Sequence, residues 1–117
     1  MNKELFRIQG KNYQASGYYE NGVFTVLKGS ILNPITLQST PNAQARRALI
    51  KEKGTLNDNG ILLMEDVSFK TPSAAASFCI GSSCNGWFVW KNGKKEKLGE
   101  VFGHKALVKP RKNKKDE

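Results

Sequence analysis

Leu5–Gln9 and Tyr13–Tyr19 are short runs with apolar and aromatic residues, separated by Gly10-Lys11-Asn12. That spacing predicts a hairpin. Glu20-Asn21-Gly22 predicts a second turn, because Asn-Gly accepts the positive φ that a tight hairpin needs. Val23, Thr25 and Leu27 then alternate with Phe24, Val26 and Lys28, a strand pattern ended by Gly29-Ser30. Residues 1–30 therefore predict a three-stranded antiparallel meander.

Pro34 to Pro41 has no period and is rich in Ser, Thr and Asn. Ser39 or Asn42 can cap a helix reaching about Lys53. In that helix Ala45, Ala48 and Leu49 form one stripe, while Arg46, Arg47, Lys51 and Lys53 are expected to face out; Gly54 is the stop signal. Leu56 and a turn at Asn57–Gly60 lead into a strand over Ile61–Phe69. Thr71-Pro72-Ser73 predicts a helix start, with Thr71 as cap and Pro72 in the first helical position. The helix runs over Ser73–Ile80 and stops at Gly81. Asn85-Gly86 predicts a turn into an aromatic strand, Trp87–Lys91. Asn92-Gly93 turns the chain again, and Lys97–Val101 reads as a last short strand. The order β-β-β-α-β-α-β places the chain in the α+β class, a small single domain with a mostly antiparallel sheet and two short helices. Its expected extent is residues 1–108. Lys109–Glu117 holds five basic residues and no apolar one, and reads as a flexible basic tail.

Charge changes this picture. Nineteen Lys and Arg stand against ten Asp and Glu in 117 residues, a net charge of +9. Such a balance excludes an acidic solvating protein and points to polyanionic partners. No apolar run is long enough to span a bilayer. Met1–Gly10 lacks the apolar core of a secretion signal. The expectation is a cytoplasmic protein without membrane contact. Cys79 and Cys84 are too few for a disulfide framework and have no CxxC spacing. They read as reduced thiols, Cys79 as a small buried hydrophobe and Cys84 in a loop.

Catalysis has little to stand on. His104 is the sole histidine, and nucleophilic catalysis needs a base paired with a nucleophile. Glu65-Asp66, as strand neighbours, would point to opposite faces and do not converge. No phosphate-binding P-loop occurs. A non-enzyme without cofactor or metal is expected.

The most informative stretch is Val67–Lys91, VSFKTPSAAASFCIGSSCNGWFVWK. Its Ala74-Ala75-Ala76 run permits close helix packing. On a regular strand Trp87 and Trp90 would point to opposite faces. Both faces of that strand are apolar, so alternation alone does not say which tryptophan is inside, and the strand can be covered on both faces. Trp87, fixed by the turn at Gly86, is favoured as the core anchor, with Trp90 the more exposed.

The pattern Phe69, Thr71-Pro72-Ser73-Ala74-Ala75-Ala76, Gly81, Asn85-Gly86-Trp87 and Trp90-Lys91 resembles an uncharacterised bacterial domain family. That family is known as an appendage of GIY-YIG nuclease-type proteins. Upstream, Phe24–Ser30 (FTVLKGS) and the set Arg46, Leu49, Gly54 and Leu56 extend the resemblance to roughly residues 12–92. The same core is similar to the restriction enzyme adenine methylase associated (RAMA) domain. The resemblance implies a DNA-recognition accessory module, including recognition of modified DNA, in a restriction or nuclease context.

From the residues themselves, a nucleic-acid site would draw phosphate contacts from Lys28 beside Ser30, from Arg46 and Arg47, and from Lys70 and Lys91. A phosphate would sit on the backbone N–H groups of Thr71–Ala74, around Ser73. Asn85 would shape the adjoining turn, and an exposed Trp90 would stack on a base. DNA is favoured over RNA as the partner. The alternative is a protein-interaction module that docks onto a nuclease or methylase partner through an exposed aromatic.

Overall fold

The computed structural model describes residues 4–36, 43–58 and 60–102. β1 (Phe6–Gly10) and β2 (Tyr13–Glu20) pair antiparallel, with Phe6 opposite Gly17 and Ile8 opposite Ala15. Alternation sends Phe6, Ile8, Ala15 and Gly17 to a buried face and Arg7, Gln9, Gln14 and Ser16 to the other. Asn21 and Gly22 both have positive φ, 55° and 77°, the geometry of a two-residue hairpin turn. The turn leads into β3 (Val23–Val26), so the predicted meander is present.

Beyond the meander, β4 (Ile31–Leu32), β5 (Gly54–Asn57), β6 (Gly60–Leu63) and β7 (Val67–Phe69) complete a seven-stranded sheet among the described residues, all of whose pairings are antiparallel. β2 is its spine. One edge carries β1; the other is shared by β3 and β4, which lead on to β7 and to β6–β5 respectively. The shared edge leaves a gap in the ladder, which Ser30 fills: the Ser16 N–H donates to Ser30 Oγ at 3.1 Å, and the Leu27 N–H donates to the Ser16 carbonyl at 2.9 Å.

α1 (Ala43–Lys53), α2 (Pro72–Ile80), α3 (Gly86–Val89) and α4 (Leu98–Phe102) pack against the buried face. α2 begins and ends as expected. Thr71 Oγ1 accepts from the Ala74 N–H, Pro72 takes the first turn, and Gly81 closes the helix at φ 86°. Ala75, Ala76, Phe78 and Cys79 are buried against Phe24, Val26 and Leu32.

Four expectations are corrected. Ile61–Phe69 is two strands rather than one, broken at 64–66, where Asp66 Oδ1 accepts the Lys28 N–H at 2.8 Å. Trp87–Lys91 is not a strand: Asn85 Oδ1 accepts from the Trp87 N–H and starts a single helical turn. Lys97–Val101 is helical, not extended. The buried face of α1 is Arg46 with Leu49 and Ile50, while Ala45 and Ala48 are exposed. An alanine stripe offers little area to bury, and the α1 face is decided instead by the bonds Arg46 makes. The β4 and β5 strands had no counterpart in the expected order. The capping positions Ser39 and Asn42, His104 and the tail Lys109–Glu117 lie outside the described residues.

Candidate functional site

The segment that carried most of the sequence signal forms a structural clasp. Gly86 packs so tightly on the start of α2 that a Cβ there would lie 2.1 Å from the Pro72 carbonyl carbon. The Gly86 N–H donates to Ser73 Oγ at 2.9 Å, and Trp90 Nε1 donates to the Pro72 carbonyl at 3.0 Å. Trp90 is fully buried and stacks on Phe24 at 4.3 Å between centroids. The expectation of an exposed, base-stacking Trp90 is therefore overturned, and with it the anchoring role given to Trp87. Trp87 is half-buried, edge-on to Tyr19 at 5.2 Å. The cause is that the chain enters the core at Trp90, where the short α3 ends, and the indole N–H finds a carbonyl there.

Ser73 and Asn85 are occupied by the same clasp, as acceptors for backbone N–H groups. The α2 N-terminus offers no phosphate cradle. Pro72 has no N–H, the Ala74 and Ala75 donors go to Thr71, and Gly86 closes over Ser73. Ser30, also buried, serves the β2 edge.

Arg46 is the most emphatic departure. Only 4% exposed, its guanidinium donates from Nε to the Phe78 carbonyl and from NH2 to the Asn33 carbonyl, both at 2.8 Å, and from NH1 to Thr36 Oγ1. Phe78 sits in the last turn of α2, where a cation meets the negative end of the helix dipole. Burial lowers the group to about 10, still far above neutrality, so the planar fork stays charged. Arg46 ties α1 to α2 and does not reach solvent phosphates. Burial also raises the thiols of Cys79 and Cys84, which keeps both protonated and weakly nucleophilic at neutral pH.

Four proposed phosphate contacts remain exposed: Lys28, Arg47, Lys70 and Lys91. They do not converge. Lys28 and Lys70 lie at opposite ends of the β3–β7 pair, Arg47 is on α1, and Lys91 lies beyond β1.

Lys91 has other company. It forms a hydrogen-bonded bridge with Arg7, whose N–H donates to the Lys91 carbonyl at 2.7 Å, with the return bond at 3.1 Å. Lys91 also bridges Lys97. Bridged residues project to the same face, with Cα atoms about 4.5–5.5 Å apart. Arg7, Lys91 and Lys97 thus form a row of three cations across the free edge of β1. No ion pair joins them to a carboxylate among the described residues, and like charges set opposite one another are unfavourable. Nearby carboxylates are engaged elsewhere: Glu4 and Glu96 accept from Asn92 Nδ2 at 2.7 and 2.8 Å, and Glu100 accepts the Lys97 N–H at 2.9 Å. Asn92 also accepts the N–H groups of Lys94 and Glu96, which holds the turn that sets Lys91 against Lys97.

Beside this row lies an open cleft of about 200 Å³. Ile8, Tyr13, Ile80, Phe88 and Val89 make its walls, and Gln9 and Lys91 its polar rim. Phe88 is 47% exposed, with the Lys97 ammonium 4.3 Å from its ring centroid, cation–π distance. A second, more polar hollow of about 400 Å³ around Lys11, Asn12 and Gln14 shares Gln9 and Tyr13 with it. Cations, amides and exposed aromatic carbon thus meet towards the turn end of the β1–β2 hairpin.

Of this cluster the sequence singled out Lys91 alone. Strand alternation does place Arg7 and Gln9 on the polar face. Their meeting with Lys91, Lys97 and Phe88 rests on pairing between distant segments, which no local pattern carries. Among the described residues no group of three or more His, Cys, Asp or Glu side chains could hold a metal ion. No helix there is long and apolar enough to cross a membrane.

A family model, described as a domain of unknown function (DUF4357), matches residues 6–102. The chain belongs to that family. The match spans the sheet, the clasp and the cation row, so the whole described unit is one DUF4357 domain. It bears out the expectation of an uncharacterised domain family. No curated protein and no solved structure is recognisably similar to the chain.

Proposed function

We propose that this DUF4357 domain is a non-catalytic nucleic-acid-binding module, with DNA as its partner, acting beside a nuclease or methylase. The observation that carries the reading is the row Arg7–Lys91–Lys97, which no ion pair joins to a carboxylate among the described residues, alongside a net charge of +9. Three aligned cations repel one another in the free protein and are relieved by a polyanion, so the row favours a bound phosphate chain. DNA rather than RNA, a sensitivity to base modification, and the nuclease context rest on the resemblance to GIY-YIG-associated and RAMA domains. The expected signature is a salt-dependent affinity. Three neutralised phosphates on duplex DNA give a slope of log K against log salt of roughly −2.7, at about 0.9 each. Fluorescence anisotropy between 50 and 200 mM salt measures it; a slope near zero rejects the reading.

One observation favours a second reading, docking onto a protein partner: Leu56 is 75% exposed on β5, an edge of the sheet, and open edges invite strand addition. Binding through that edge would be nearly indifferent to salt.

A further inference from the structure

We infer that the cleft beside the cation row receives a single unstacked base, so that the ligand is a DNA strand with at least one base out of the duplex stack. This deepens the nucleic-acid reading and rests on it. The argument starts from size. At about 200 Å³ the cleft falls below the roughly 300–1,000 Å³ of pockets that enclose drug-sized ligands. It has room for one ring system.

The lining matches a base rather than a phosphate. Phe88 and Tyr13 supply aromatic carbon, and Ile8, Ile80 and Val89 supply aliphatic wall. Every base presents a π face that such surfaces accept. The Gln9 amide on the rim carries a donor and an acceptor together, the pairing that a base edge requires. Phosphates are excluded from the apolar walls by the cost of burying charge.

Position supplies the last element. Lys91 belongs both to the rim of the cleft and to the cation row, and Lys97 lies over the ring of Phe88. A strand whose phosphates lie along Arg7, Lys91 and Lys97 therefore passes the mouth of the cleft. A duplex keeps its bases stacked and facing inward, so base entry needs a single strand or an extruded nucleotide.

The test compares three labelled probes at 50 mM salt: an eight-nucleotide oligothymidylate, an abasic strand of the same length and charge, and a blunt duplex. The oligothymidylate is expected to bind at least tenfold more tightly than the abasic strand. Phe88→Ala, at an exposed position, is expected to weaken oligothymidylate binding by roughly 5- to 150-fold, the range for loss of one stacked base. It should weaken abasic binding far less and lower the melting temperature only slightly, through loss of the contact between the Lys97 ammonium and the ring. Lys91→Ala should weaken both strands alike. Equal affinity for the oligothymidylate and the abasic strand overturns the base cleft and leaves the phosphate-binding reading standing, as does a duplex that binds as tightly as the oligothymidylate. Failure of all three probes to bind overturns both.

Discussion

Trp90 and Trp87 sit in one short motif and have opposite environments. Trp90 is fully buried, stacked on Phe24 and bonded to the Pro72 carbonyl. Trp90→Ala is expected to cost about 3–5 kcal/mol, as for other buried aromatic truncations. Trp87→Ala, at a half-buried site against Tyr19, should cost distinctly less; urea unfolding of the two variants gives the comparison. Arg46 poses a second test. Arg46→Ala leaves the Phe78 and Asn33 carbonyls without their donor, at about 1–3 kcal/mol for each buried group left unsatisfied. Arg46→Lys should recover only part of the loss, because an ammonium cannot reproduce a planar fork that reaches three acceptors. Equal stability of Arg46→Lys and the parent protein would show that the fork geometry is irrelevant. Neither burial was legible beforehand. The two tryptophans share a type and a neighbourhood, and an arginine on a helix is ordinarily exposed.

The elements divide by how local their causes are. The turn at Asn21-Gly22 and the start and stop of α2 depend on residues within a few positions, and the structure has them as read. The four-residue α3 was missed because Asn serves equally as a turn residue and as a helix cap. Its choice follows from Gly86 seating on Pro72, a contact between separate segments. Gly86→Ala therefore drives a methyl group into the α2 backbone and should cost more than the 1–3 kcal/mol typical of an overpacked site. Gly93→Ala meets no atom within 4 Å and should stay within about 0.5 kcal/mol of the parent. Paired thermal melts check both, and a tolerated Gly86→Ala would contradict the clasp. β4 was invisible for a related reason: a two-residue strand has no period, and it exists because Gln14 and Leu62 flank Ile31.

Across the molecule, one sheet face is covered by helices and the outer edge of β1 gathers three cations that no ion pair joins to a carboxylate among the described residues. The arrangement sets stability against binding. Lys91→Glu replaces two repulsive neighbours with two attractive ones, and is expected to add a few tenths of a kcal/mol to the stability of the free protein. It should also weaken DNA binding and make the salt slope shallower by about one, the loss of one phosphate contact. Urea unfolding together with the salt titration reads both effects. A variant that keeps its full affinity would remove Lys91 from the interface.

What could be read from the chain alone was the α+β class, the meander, the existence of α1 and α2, the caps of α2 and a net charge suited to polyanions. These follow from periodicity, turn chemistry and charge count, which act over a few residues or need no geometry at all. The buried tryptophan, the inward arginine, the gap-filling Ser30 and the row Arg7–Lys91–Lys97 were settled by the folded chain. Each depends on a partner supplied from a distant segment: Pro72 for Trp90, Phe78 for Arg46, Ser16 for Ser30, and β1 for Lys91. A polar side chain is drawn inward wherever unpaired backbone groups await it, and where they await it is known once the chain has closed on itself.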